Sequence, residues 1–379
     1  MVLGITAQYP LAGVTWQAIH YLAGLRALGC DVFYVEDSGA PPYDPVSGGI
    51  ARDARANIAY LAAVMRRLDL ADRWAYWDAQ GDAWHGLARA RVHALYRSAD
   101  AIFNLCGATR LRPEHRQGAR LCYVETDPVY EQMRVANDEA DSIAFLAEHD
   151  LLFTYGELLG TPSCSVPVAR FTWIPTRPPV VLEEWRRRGE GVAYRTIATW
   201  ENKGKNVQFR GETYYWTKHL NFVRALEVPR QSGVCMEVAM DPLDPAVRTE
   251  LAAHGWTLVD PRPISADLDA YRTFVEGARG EFTVAKDIYV RPRSGWFSDR
   301  SVCFLAAGRP VVTQETGFSE RIPSGRGLLA FATRDEAVAA VRAVEADYET
   351  HARAAHEIAV EYFAAGRVLG AMLTAAGIG

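Results

Sequence analysis

The run Arg291-Pro-Arg-Ser-Gly-Trp-Phe-Ser-Asp-Arg300-Ser-Val-Cys-Phe-Leu-Ala-Ala-Gly308-Arg-Pro-Val-Val constrains the fold more than any other part of the chain. It reads as a turn that enters a short helix and leaves it for a buried strand. Ser298 stands where an N-cap belongs, Gly308 where the helix should stop, and Pro310 keeps the helix from running into Val311-Val312. A helix start presents unpaired amides at the positive end of its dipole and so makes a pocket for an anion. Arg300, in the first turn, opposes that dipole, a conflict that a bound phosphate would resolve. The same residues also read as an ordinary strand-to-helix turn with solvated arginines.

The chain has 379 residues, more than one hydrophobic core usually serves, so two α/β units are expected. A net charge of −5 gives no footprint for nucleic acid or an anionic membrane, and any anion site must be local. Cys30, Cys106, Cys122, Cys164, Cys235 and Cys303 are scattered singly, with neither a Cys-x-x-Cys pair nor zinc spacing, which predicts free thiols and no metal site. The start of the chain lacks a basic region followed by a long apolar run, and no later segment has the length of a membrane span. A cytoplasmic protein is expected. The wealth of alanine and arginine suggests a bacterium of high GC content.

An apolar strand at 2–5, a helix at about 15–28 and a strand at 31–36 make a βαβ start, with a parallel sheet to follow. Further strands are expected at 101–105, 120–124 and 151–154, and helices near 51–68, 86–96 and 128–148. The proline-rich stretch 162–179 reads as a semi-rigid connector. Beyond it come strands at 194–200, 233–240, 256–259, 281–285 and 310–313, a helix near 215–226, and an alanine-rich helical tail from Asp335.

The order of glycine turn, helix, Gly308-x-Pro310-Val-Val and a second loop from Glu315 to Glu320 resembles the nucleotide-sugar half of GT-B glycosyltransferases of the bacterial family 1 and family 4 kind. That resemblance covers the C-terminal third well and the N-terminal half loosely. It implies an α/β, GT-B-like architecture of two Rossmann-like doubly wound domains facing a central crevice. Residues 1–178 would form the acceptor side and 179–350 the nucleotide-sugar side, with 351–379 a helical tail packing back on the first domain. The activity implied is metal-independent sugar transfer from a nucleoside-diphosphate sugar, with uridine as the expected base, and no cofactor. Donor and acceptor would be small molecules. Oligomeric state is left open.

Lys203 and Lys205 flank Gly204 just after the first strand of the second unit, where such enzymes often carry a lysine for the donor diphosphate; Arg210 and Lys218 are weaker candidates. Arg293, Ser294, Gly295, Ser298, Arg300 and Ser301 are expected around the diphosphate, with Gly317 in the second loop of the donor site, while Asp299, Glu315 and Glu320 suit sugar or ribose hydroxyls, although a helix cap and surface carboxylates explain these three nearly as well. Arg300→Ala should then weaken diphosphate binding and leave the fold intact. Retaining members of the family usually carry two glutamates here, and this chain has Cys303 and Ser294 or Gly295 at those places. A base is therefore sought in the first unit, with His20, Asp37 and Asp127 as candidates. Core packing, a strand end and a helix cap explain the same three. Trp200, Trp216 and Trp296 offer stacking faces. A sugar-nucleotide epimerase and a catalytically idle binding module remain alternatives. A dehydrogenase is disfavoured, because no Gly-x-Gly-x-x-Gly follows the first strand.

Overall fold

The computed structural model describes residues 1–202, 204–241 and 243–378. Two parallel sheets organise the chain. The first runs, edge to edge, Trp173–Pro175, Leu151–Thr154, Arg120–Glu125, Ala101–Leu105, Val2–Leu3, Tyr34–Glu36, Trp74–Asp78 and Ala83–Gly86, the last strand alone being antiparallel. The second runs Trp256–Val259, Cys235–Met240, Ala193–Ala198, Gly280–Thr283, Val311–Gln314 and Leu328–Phe331, all parallel. In each sheet the strand first in sequence lies inside, and later strands are laid down on one side of it and then the other. Such reversals leave a crevice at the carboxyl ends of the strands that flank the switch point. Here those strands are Val2–Leu3 with Ala101–Leu105, and Ala193–Ala198 with Gly280–Thr283.

Alternating strands and helices are where expected, with shifted ends. The first helix, Ala12–Ala27, begins a few residues early, and the segment 128–148 is two helices, Tyr130–Ala136 and Ala140–Ala147. Part of the proline-rich stretch is the edge strand Trp173–Pro175, a place where a proline with no amide to donate is tolerated. Among the described residues three hairpins, Tyr43–Asp44 with Gly49–Ile50, Trp74–Asp78 with Ala83–Gly86 and Val207–Phe209 with Glu212–Tyr214, stand where no strand is expected.

The helix Asp299–Ala306 ends as its sequence predicts. Gly308 adopts φ +65°, its amide bonds the Leu305 carbonyl at 2.9 Å, and the Arg309 amide bonds that of Phe304 at 2.9 Å, a Schellman closure that points the chain into Val311. Ser298 holds the N-cap position with φ −86° and ψ 134°, yet its hydroxyl makes no capping hydrogen bond, contrary to expectation.

The sheets are joined by more than the crossing at 176–192. Trp16 of the first helix packs on Trp185 of that crossing, ring centroids 4.8 Å apart, and donates to the Leu268 carbonyl of the second unit. A second crossing brings the chain back. Val180 and Ala364 form a parallel bridge, and the last helix, Ala365–Ala375, lies so close to the first that a Cβ on Gly24 would stand 2.5 Å from Leu369. One continuous apolar core therefore includes Ile19 and Leu22 from the start of the chain, Phe304 from the middle and Leu369 from the end.

Candidate functional site

Two cavities open between the sheets and adjoin each other. The smaller, about 330 Å³, lies over the switch point of the first sheet, lined by Gln17, Cys106, Tyr123, Asp127, Glu131 and Trp296 among others. The larger, about 760 Å³, lies over the switch point of the second, where Thr199, Asn202, Lys218, Lys286, Ser298 and Arg300 face Tyr43 and Val46 of the first unit. Gly13, Val14 and Asp299 line both.

Local structure explains this placement. After the first strand the backbone amides of Ala7 and Gln8 donate to the Glu36 carboxylate at 2.6 and 2.9 Å, and Tyr34 donates to the same group at 2.8 Å. That carboxylate pins the loop which delivers Gly13 and Gln17 to the cleft. Burial raises the Glu36 pKa to about 7, against those hydrogen bonds. In the second unit the hairpin Val207–Tyr214 turns the chain so that Lys218 arrives beside the end of Ala193–Ala198.

Arg300 spans the second switch point. Its Nε meets Glu281 Oε1 at 2.5 Å, while its two terminal nitrogens donate to the Ile197 carbonyl at 2.5 Å and the Thr283 hydroxyl at 2.8 Å. Glu281 is fully buried. The arginine is thus neutralised by an internal carboxylate, which corrects the expectation that a ligand anion alone resolves its position. It still lines the larger cavity. Lys286 lies over the Trp216 ring at 3.6 Å and donates to Asp127 at 3.0 Å.

Lys218 differs from both. No carboxylate or hydrogen-bond acceptor among the described residues holds its ammonium, and burial, then the Arg300 charge, push its pKa well below the ordinary lysine value despite Glu281. Lys205 lines the smaller cavity instead, over the Trp216 and Tyr130 rings at 5.1 and 5.8 Å. Lys203 lies outside the described residues.

The glycine turn is not open to either cavity. Gly295 has φ +78°, and a Cβ there would stand 2.7 Å from the Leu158 amide of the first unit; Ser294 is buried and accepts that amide's hydrogen bond at 3.1 Å. Gly317, φ +98°, closes on the same Leu158 side chain. Ser294, Gly295 and Gly317 thus form a close contact between the units, and Glu315 accepts the Gly317 amide. Arg293 points away, paired with Glu320 at 2.7 Å. Ser301 is buried, its hydroxyl unpartnered. Of the residues expected around a diphosphate, Ser298, Arg300 and the weaker candidate Lys218 reach the larger cavity and Lys205 the smaller, while Asp299, expected at a sugar or ribose hydroxyl, lines both.

The three candidate bases separate. His20 is buried between Trp16 and Trp185, its Nδ1 accepts the Val181 amide at 3.2 Å, and burial drops its pKa to about 3. It lines neither cavity and is a core residue. Asp37 is fully buried beneath Arg112, His115, Tyr96 and Thr109. Burial alone would raise its pKa, but the His115 hydrogen bond and charge, with Arg112, hold it below the usual carboxylate value. It too lines neither cavity. Asp127 does line the smaller cavity, held by Lys286 and Tyr289. Desolvation pushes it up, and Lys286 with the Tyr289 hydrogen bond outweighs that and keeps it low. Among the tryptophans, Trp296 and Trp216 line the cleft, while Trp200 packs on Phe222.

Among the described residues, no three His, Cys, Asp or Glu side chains come together as a metal-ligand set, and no helix is long and apolar enough to cross a membrane. No protein-family model and no curated protein matches the chain. Solved structures do. An alpha-glucosyltransferase, AGT, solved in complex with UDP, superposes with a TM-score of 0.58 at 9% identity, over 99% of this chain and 98% of its own. AviGT4, a glycosyltransferase involved in avilamycin A biosynthesis, gives a TM-score of 0.51 at 13% identity, over 96% and 89%. The likeness spans nearly the whole chain, both sheets included: this chain has the GT-B glycosyltransferase fold.

Proposed function

We propose that the protein is a glycosyltransferase that moves a sugar from a nucleoside-diphosphate sugar to an acceptor hydroxyl. The donor occupies the larger cavity and the acceptor the smaller, and the reacting atoms meet beside Asp299. The observation that carries this reading is Lys218, a desolvated ammonium without a counterion among the described residues, in a cavity that also holds Arg300 and the start of the helix Asp299–Ala306. A diphosphate supplies the missing charge, and the first amides of that helix have no intrahelical acceptor of their own. As the diphosphate leaves, these cations and amides stabilise the charge it gains, so the reading needs no metal ion.

Uridine is the first base to test, because AGT was solved with UDP. Six unbridged cysteines suit a reducing compartment, the cytoplasm. Two cavities favour transfer over epimerisation, which needs no second substrate site. Thermal shift and calorimetry across nucleoside diphosphates and their sugars test the reading. UDP or a relative should raise the melting temperature, and the matching sugar nucleotide should lose its sugar only with an acceptor present. A protein that binds no nucleoside diphosphate is not this enzyme, and one that alters the donor sugar unaided is an epimerase.

A further inference from the structure

We infer that Asp299 is the catalytic base of this transfer, taking the proton of the acceptor hydroxyl as its oxygen attacks the anomeric carbon of the donor. The inference rests on the reading above. Four carboxylates line the two cavities, Asp127, Glu131, Asp241 and Asp299. Three have a cation at hand: Lys286 at 3.0 Å from Asp127, Arg134 at 3.7 Å from Glu131 and Arg248 at 3.5 Å from Asp241. Asp299 has none within 4 Å among the described residues, and it is the one of the four that lines both cavities.

Its side-chain partner is neutral. Gln17 Nε2 donates to Asp299 Oδ1 at 3.1 Å, and Cys106 Sγ donates in turn to Gln17 Oε1 at 2.9 Å. A neutral donor orients a carboxylate without sharply weakening it as a base, whereas a cation lowers its proton affinity. Burial raises the Asp299 pKa to about 7, the Gln17 hydrogen bond opposing and the Asp127 charge assisting, which suits a group that must accept a proton near neutrality.

The step balances. The acceptor O–H bond breaks with its proton passing to the Asp299 carboxylate, a bond forms from that oxygen to the anomeric carbon, and the bond to the diphosphate breaks with its electron pair staying on phosphate. The neutral acid then releases its proton to water. Attack from the smaller cavity, opposite the leaving group in the larger, inverts the anomeric centre.

Asp127 and Arg300 are the charged groups that act most on Asp299, and Glu131 and Lys205 in the smaller cavity and Lys218 and Lys286 in the larger line the same space. Burial raises the pKa of the neighbouring thiols Cys106 and Cys303 and of the phenols Tyr21, Tyr155, Tyr271 and Tyr289, so all six stay neutral through the range in question. Glu36 and Glu125 are also raised by burial, to about 7 and about 8, but neither lines a cavity, so the assignment of the acidic limb of kcat/KM to Asp299 rests on its loss in the Asp299 variant.

The test uses the full chain with the donor that passes the binding screen. Asp299→Asn should lower kcat roughly a hundredfold or more while nucleoside-diphosphate affinity stays within about threefold. Wild type should show kcat/KM rising through a midpoint near pH 7 to a plateau at higher pH, a limb absent from the variant, and Asp299→Glu should restore part of the rate. The product should have inverted configuration. A variant with kcat within about threefold of wild type, an unchanged acidic limb, or a retained configuration overturns the inference while leaving the transferase reading standing. If wild type binds no nucleoside diphosphate, that reading fails first and the inference goes with it.

Discussion

Arg300 Nε and Glu281 Oε1 lie 2.5 Å apart across the switch point of the second sheet, the carboxylate fully buried and the guanidinium 12% exposed. The pair ties the helix start at 299 to the ends of two strands through the Ile197 carbonyl and the Thr283 hydroxyl. Removing one member leaves a buried charge without its partner. Arg300→Ala is therefore expected to cost about 3–5 kcal/mol of stability as well as donor affinity, in contrast to the intact fold that the sequence suggests. Denaturant titration measures the loss, and replacing Glu281 with Gln in the same chain should recover part of it.

Lys218 is expected to behave in the opposite way. Its ammonium holds no fold contact among the described residues, so Lys218→Ala should leave the melting temperature nearly unchanged and weaken nucleoside-diphosphate binding about tenfold or more, the scale of one charge-assisted contact. Isothermal calorimetry checks both affinity and stoichiometry. Equal affinity in the variant would move the diphosphate elsewhere in the cleft.

His20→Ala should separate packing from chemistry. The ring fills a buried site between Trp16 and Trp185, and truncating a core side chain of that size costs about 2 kcal/mol or more. Turnover per folded molecule should be unchanged at a temperature where the variant is native. A hundredfold fall in kcat with little loss of stability would return His20 to the catalytic candidates.

Glu125 predicts a pH dependence of stability. Its Oε2 accepts from Thr154 at 2.6 Å and Gln132 at 2.8 Å, its buried Oε1 has no partner, and burial lifts its pKa to about 8. The folded state keeps this proton where the unfolded chain has lost it, so stability falls as pH rises from the ordinary glutamate range through about 8. Glu125→Gln should remove that contribution, and the gap between variant and wild type in melting temperature should shift in the variant's favour from pH 5 to pH 9. Parallel curves for the two proteins would place the proton elsewhere.

Much of the scaffold is legible in the sequence because its signals are local. Gly308, Pro310 and the apolar run after them dictate a helix end and a strand whatever surrounds them. The site is legible in part. Residues 298–300 reach the larger cavity because a helix start at a strand switch point must face the crevice, and the sequence marks that start. Arg293, Gly295 and Gly317 mislead for a physical reason. A glycine needed for close approach looks the same whether the approaching group is a phosphate or, as here, Leu158, whose backbone meets Gly295 and whose side chain meets Gly317. Lys286 carries no local signal at all. Its place beside Asp127 depends on which strand is fourth in the second unit and on how the two sheets face each other.

The bridge between Val180 and Ala364 has a mechanical consequence. The Val180 amide bonds the Phe363 carbonyl and the Ala365 amide bonds the Val180 carbonyl, both at 2.8 Å, so the outgoing and returning strands of the chain are fastened together at one spot. The two crossings between the units therefore share one fixed point, and a substitution at Val180 that weakens the bridge loosens both of them at once.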